Sequence, residues 1–288
     1  MPAHVQPCRF NGLECLRLTT SDGASAVVSR FGAHVLSWTT ADGDERLFLS
    51  ERAAFDGATP IRGGIPVCFP QFSDLGPLAK HGLVRTHMWN LAAPVESGNG
   101  DDGVACVTLV SGHDAATLAA WPHRFTVRLR VVLSRQRLAV TLTVENTGAA
   151  GFGFTGALHT YLRINDVAGA ALSGLHGLDY RDAAGGNVIR TEQPPLLHVA
   201  GEVDRVYHAA AAPLTLRDGP RSLVVGMEGF ADVVVWNPGA TRCAALPDMA
   251  PDGFRHMLCI ESAAARLPVQ VEPGAAWSGG QSLTVSQV

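Results

Sequence analysis

Apolar and polar residues alternate with a period of two along much of the chain. In Phe125-Thr-Val-Arg-Leu-Arg-Val131, the residues Phe125, Val127, Leu129 and Val131 share one face, and Thr126, Arg128 and Arg130 share the other. Leu138, Val140, Leu142 and Val144 repeat the pattern after Ser134-Arg-Gln136. That period places alternate side chains on opposite sides of an extended backbone, so the segment predicts a half-buried β-hairpin. Shorter segments of the same kind fall at 13–18, 26–31, 34–38, 104–110, 214–216, 223–225, 233–236, 257–260 and 283–285. Asp42-Gly43, Asn99-Gly100, Asp218-Gly-Pro220 and Asn237-Pro-Gly239 separate them, residues that supply either positive φ or a fixed φ for turns.

Helical signals are sparse. Ser50-Glu-Arg-Ala-Ala-Phe55 predicts one or two turns capped by Ser50. With many strands and few helices, βαβ units are disfavoured, and antiparallel sheets packed face to face are expected. No repeat of 20 to 50 residues points to a solenoid or propeller. The Gly-rich stretch 149–157 runs straight into a His/Tyr strand and reads as a connection within one unit. The expected fold is therefore all-β, a large antiparallel β-sandwich forming a single domain over residues 1–288.

Composition narrows the function. The 47% apolar residues suffice for a substantial core without disulfides or metals. A net charge of −4 argues against a nucleic-acid partner, which needs a basic face, but leaves room for a small anion held by two or three cations. The six cysteines form no CxxC pair and no zinc-like spacing with histidine, which fits a reducing, cytoplasmic setting. The first twenty residues lack the apolar run of a signal peptide, and no uninterrupted apolar stretch reaches membrane-spanning length.

Four segments combine functional groups with tight backbone. Pro60-Ile-Arg-Gly-Gly-Ile-Pro-Val-Cys-Phe-Pro70 holds Arg62 beside two glycines; the arginine serves either a ligand or a carboxylate in a rigid loop. Read as extended, Lys80-His-Gly-Leu-Val-Arg85 puts His81, Leu83 and Arg85 on one face and Lys80 on the other, a phosphate cradle or a solvated basic edge. Leu158-His-Thr-Tyr-Leu162 places His159 and Tyr161 on one face of a strand, where a lone histidine is often structural. In Leu258-Cys-Ile-Glu-Ser262, Glu261 ends an apolar strand and either closes an ion pair or points into a pocket. Asp204 sits in Gly201-Glu-Val-Asp-Arg-Val-Tyr207, where capping its own backbone is the simpler role.

Taken in order, Phe31-Gly-Ala-His34, the Pro60–Pro70 segment, His81-Gly-Leu-Val-Arg85, Leu158-His-Thr-Tyr161, Val203-Asp-Arg-Val-Tyr207, Val235-Trp-Asn-Pro238 and Ile260-Glu261 resemble the glucose-6-phosphate 1-epimerase family, the hexose-phosphate branch of the aldose 1-epimerase superfamily. The resemblance implies a sandwich of galactose-mutarotase type, exchange of the α and β anomers of a hexose 6-phosphate, a monomer, and no metal or organic cofactor. It implies that His159 and Glu261 are catalytic and that Arg62, Lys80, His81, Arg85 and Asp204 contact the phosphorylated sugar. Lys80 stands where Gln or a small residue is common in the family, Thr86 where Asn is, and Gly239 where a tryptophan is common. The competing readings are an epimerase of unphosphorylated aldoses, a non-catalytic carbohydrate-binding protein and a plain interaction module.

Overall fold

The computed structural model describes residues 2–92, 103–210 and 213–286. The turn expected at Asn99-Gly100 lies outside them. In chain order the strands are β1 (His4–Phe10), β2 (Leu13–Thr19), β3 (Ser25–Ser29), β4 (Val35–Thr39), β5 (Val67–Cys68), β6 (Asn90–Leu91), β7 (Ala105–Gly112), β8 (Phe125–Ser134), β9 (Arg137–Asn146), β10 (Phe152–Leu158) and β11 (Tyr161–Arg163). They continue as β12 (Ala170–Ser173), β13 (Asp179–Asp182), β14 (Val188–Thr191), β15 (Leu196–Leu197), β16 (Val203–His208), β17 (Leu214–Asp218), β18 (Arg221–Glu228), β19 (Asp232–Asn237), β20 (Met257–Val271) and β21 (Ala276–Ser286).

Strands β1 to β4 form an antiparallel meander. A nine-stranded sheet runs β15-β12-β17-β18-β21-β9-β8-β7-β6, and an eight-stranded one runs β14-β13-β16-β19-β20-β10-β5, with β11 also on β20. The expected hairpin is β8–β9, closed by Arg135-Gln136 with Ser134 opposite Arg137. One core joins the two large sheets: Leu129, Val131, Leu142 and Val144 from β8 and β9 share it with Phe154, Val235, Leu258 and Ile260 from the other sheet. Burying each such side chain contributes roughly 1.5–3 kcal/mol, which fixes which face of β19 and β20 points inward. Cys259, Glu261, Val234 and Trp236 consequently point to the opposite face.

Two local expectations change. Residues 50–55 make a turn rather than a helix: the Ser50 hydroxyl donates to the Asp248 carbonyl (2.7 Å) and accepts from the Arg52 amide (3.2 Å), while Phe55 packs on Phe10. The helices are α1 (Ala115–Ala120), started by a capping box between Asp114 and Thr117, and α2 (Gly239–Ala244). Residues 80–85 are not extended, because His81 and Gly82 take φ of 65° and 76° and a 3₁₀ turn follows at Val84–Thr86. No helix among the described residues is long and apolar enough to cross a membrane.

Candidate active site

Strand register assembles the floor of a cavity of about 460 Å³. Residues directly opposite each other in a ladder share a face. Asp204 of β16 pairs with Trp236 of β19, Trp236 with Cys259 of β20, and Cys259 with Tyr161 of β11. In the next row, Val206 pairs with Val234 and Val234 with Glu261. Leu158 pairs with Ser262, so His159 and Glu261 become neighbours although 102 positions separate them. His159 does not lie within a strand. Strand β10 ends at Leu158, and the His159 amide donates to the Pro66 carbonyl instead (3.0 Å). Its ring still stacks on Tyr161 as one-face placement requires, with centroids 4.8 Å apart and planes at 8°.

His159 Nδ1 lies 3.3 Å from Glu261 Oε1. Neither Nδ1 nor Glu261 Oε2 has a hydrogen-bond partner among the described residues, although both are buried. Burial pushes the Glu261 carboxyl well above its usual range, with Asp204 adding to the effect. Burial pulls the His159 imidazole well down, helped by the charges of Arg62 and Arg85. Asp204 is raised as well, chiefly by burial, even with Arg242, Arg181 and Lys80 nearby. It belongs to β16 rather than to a turn.

Arg62 reaches the site from the glycine loop. Its Nε donates to Asp248 Oδ2 (3.1 Å) and its Nη1 to the Tyr161 hydroxyl (3.0 Å), which leaves Nη2 uncommitted. The carboxylate partner is therefore present, and Arg62 also lines the cavity. Burial lowers its pKa, and the Asp248 charge together with the hydrogen bonds to Asp248 and Tyr161 outweighs that, holding it above the usual range. The loop sits against β4. A Cβ on Gly64, at φ 61°, would come within 2.2 Å of the Val35 carbonyl oxygen and 2.8 Å of His34 Nε2.

His34 is 2% exposed and donates Nε2–H to the Gly63 carbonyl (2.7 Å), tying the same loop down. Burial lowers its pKa to about 4; the Gly63 carbonyl works against the shift and Arg85 reinforces it. Between pH 6.5 and about 4 the unfolded chain binds a proton at this position that the folded chain refuses, so stability is lost as pH falls. The loss from this group reaches about 3 kcal/mol at the lower end. His81, lowered mainly by burial to about 3, acts in the same direction. Urea unfolding at pH 7 and pH 4.5 is expected to show this loss, and a smaller loss in His34→Gln, whose amide keeps the donor. An equal loss in the variant refutes the assignment.

The strained turn at His81-Gly82 aims His81 inward. Its Nδ1 accepts the Ser73 amide (3.2 Å) and lies 3.2 Å from Cys68 Sγ, so the neutral ring carries its proton on Nε2. The ring meets His159 edge to face at 5.1 Å. Arg85 donates to the Lys80 carbonyl (2.6 Å), coupling the two cations through backbone. Arg62, Lys80, His81, Arg85, His159, Asp204 and Glu261 all line the cavity.

Sequence reasoning missed Asp248, Arg181, Asn187 and Arg242, which also line it. Their signals were buried in ordinary surface composition. Arg181 donates to Asn187 (2.6 Å) across the β13–β14 hairpin, and Arg242 donates to Glu202 (2.7 Å). Gly239 has a local cause: at φ 60° its Cβ would lie 2.7 Å from the Glu202 amide, so this chain's backbone leaves no room for a larger residue there.

The chain matches the aldose 1-epimerase family over residues 14–284. It is 35% identical over 280 residues to a Cenchrus ciliaris protein provisionally named glucose-6-phosphate 1-epimerase, covering 95% of this chain and 85% of that one. A protein of Escherichia coli (strain K12) with the same provisional name is 34% identical over 243 residues, 81% and 78% of the two chains. The crystal structure of a provisionally assigned mutarotase from Salmonella typhimurium superposes with a TM-score of 0.89 at 27% identity, covering 99% of this chain and 94% of that chain. A galactose 1-epimerase from Lactobacillus acidophilus, at 13% identity and a TM-score of 0.70 over 100% and 99% of the two chains, shares the fold.

Proposed function

The chain belongs to the aldose 1-epimerase family, in its glucose-6-phosphate 1-epimerase branch, and from that premise we propose that it interconverts the α and β anomers of a hexose 6-phosphate, with glucose 6-phosphate as the preferred substrate. The observation that carries the reading is the buried, unaligned contact between His159 and Glu261 on the floor of a cavity rimmed by cations. The whole chain acts as one unit in this proposal, and the substrate's charged end needs no partner protein.

Anomer exchange opens the ring, turns the C1–C2 bond and recloses the ring. Glu261 takes the proton from the C1 hydroxyl while His159 delivers one to the ring oxygen. The pair carries one exchangeable proton between them, either as carboxylate and imidazolium or as carboxyl and neutral imidazole. Ring opening converts the first arrangement into the second, and closure on the other face converts it back. Burial favours the second arrangement, so the low-polarity floor lowers the free energy of the open-chain stage. The cycle needs no net uptake of protons, because closure returns each proton that opening moved.

The remaining residues position the sugar. The Asp248–Arg62–Tyr161 chain, with Tyr161 stacked on His159, sets the imidazole's orientation, and the free Nη2 of Arg62 donates to the ligand. Asp204 accepts hydrogen bonds from sugar hydroxyls and His81 donates one through Nε2. Arg85 and Lys80, with Arg62, hold the phosphate, and that remote binding energy fixes the reacting end. Arg85→Ala is expected to raise KM for glucose 6-phosphate by about ten- to a hundredfold, the worth of one charged hydrogen bond, with little effect on free glucose. Initial rates of anomer exchange on both sugars check this; equal losses on the two would overturn the phosphate role.

A further inference from the structure

Three donor side chains meet at the floor of the cavity: a ring nitrogen of His159, Cys259 Sγ and a carboxylate oxygen of Glu261 all lie within 4.8 Å of one another. We propose that this trio binds a thiophilic divalent cation of the zinc class, and that the bound cation shuts the enzyme off by occupying its acid and base. The blocking half of the proposal rests on the sugar site described above; the binding half does not.

Two observations point to a ligand. His159 Nδ1 and Glu261 Oε2 are buried yet have no hydrogen-bond partner among the described residues, and the Glu261 side chain is 1% exposed. Orphaned polar atoms at that depth are uncommon. The donor types are also those of zinc: one imidazole, one thiolate and one carboxylate, two of them from side chains that line the cavity. Zinc–ligand distances of about 2.0–2.3 Å place tetrahedral ligands about 3.5 Å apart, so the trio must close by about 1 Å around the cation. Binding converts the Cys259 thiol to thiolate and the Glu261 carboxyl to carboxylate, both protons leaving to solvent, while the His159 imidazole binds in its neutral form. One thiolate and one carboxylate then cancel the two charges of the cation, leaving a neutral centre that burial does not oppose. Magnesium and calcium, which need six or more oxygen donors, do not fit.

Cys259 has no part in the proposed acid–base chemistry, so it separates metal binding from turnover. Cadmium titrated into EDTA-treated wild-type protein is expected to produce a thiolate-to-metal absorption band at one equivalent. Glucose 6-phosphate is expected to weaken that binding. Zinc is expected to inhibit anomer exchange reversibly, with EDTA restoring it, and magnesium to have no effect. Cys259→Ala, with Cys259→Ser as a second test of the same position, keeps turnover and the far-UV spectrum. Both variants lose the band and weaken zinc inhibition by more than the roughly tenfold that even an outer-shell change costs. An undiminished band or undiminished inhibition in both variants overturns the site, as does the absence of a band in the wild type. A band that the sugar phosphate leaves unchanged overturns the blocking mechanism. The cadmium titration needs no turnover, so it remains decisive if the protein proves inactive on hexose phosphates.

Discussion

Glu261→Gln is expected to slow anomer exchange by about 10²- to 10⁴-fold, the usual contribution of one positioned proton acceptor. Glutamine has the same shape but cannot take the C1 hydroxyl proton. His159→Asn is expected to lose a similar factor by removing the donor to the ring oxygen. The double variant should be no slower than the worse single one, because the two groups act as a unit and either is idle without the other. The folded state tells a different story. Glu261 is a buried carboxyl with one oxygen unsatisfied, so an isosteric amide in its place removes little support from the fold. Thermal melting of Glu261→Gln should therefore stay close to that of the wild type. The rate of optical rotation change after dissolving pure α-glucose 6-phosphate, set beside the melting curve, separates the two effects. A rate near that of the wild type, or a collapse in stability, contradicts the assignment.

Gly82→Ala is expected to have the largest effect on the scaffold. At φ 76° its added Cβ would sit 2.3 Å from the Phe69 carbonyl oxygen and 2.4 Å from the carbonyl carbon, both in backbone that cannot step aside. Left-handed strain costs about 1–2 kcal/mol and forced overpacking about 1–3 kcal/mol. Together they come to about 3 kcal/mol, a fall in Tm of about 5–10 °C. Since the same turn aims His81 and precedes Arg85, KM for the sugar phosphate should rise as well. Gly23→Ala is the control: it shares a positive φ of 96° but meets nothing within 4 Å, so it carries the strain without the collision. Equal melting temperatures for the two variants would show that contact with Phe69 is unimportant.

The hairpin β8–β9 was legible because its alternation is long and each face has a single environment. The walls of β19 and β20 were legible for the same reason, and with them the direction of Glu261. The turn at 80–85 was not, because a left-handed histidine leaves no periodic trace and only Gly82 hints at it. Strand β1, with Pro7 in its middle, also escaped reading; it lies at the edge of the meander, where a missing amide is tolerated. Helix α1 is six residues long, too short for periodicity to register, though the Asp114–Thr117 capping box was in plain view.

The site was legible as a set of residue types but not as an arrangement. Its members become neighbours through register: Leu158 opposite Ser262, and Trp236 between Asp204 and Cys259. Nothing local encodes such pairings. Asp248, 186 positions from Arg62, could be found only once the chain was folded. That ion pair also shows why a ligand-binding and a structural reading of one arginine need not compete, since a guanidinium has enough donors for both.

The most direct test is two-dimensional exchange NMR on glucose 6-phosphate at anomeric equilibrium, in which cross-peaks between the two C1 proton signals report interconversion. With wild-type protein the cross-peaks should grow far faster than in buffer, and faster than for glucose under the same conditions, while Glu261→Gln and His159→Asn should return them close to the buffer rate. Cross-peaks no faster than buffer with the wild-type protein, or undiminished in both variants, would contradict an acid and a base meeting across one sugar ring.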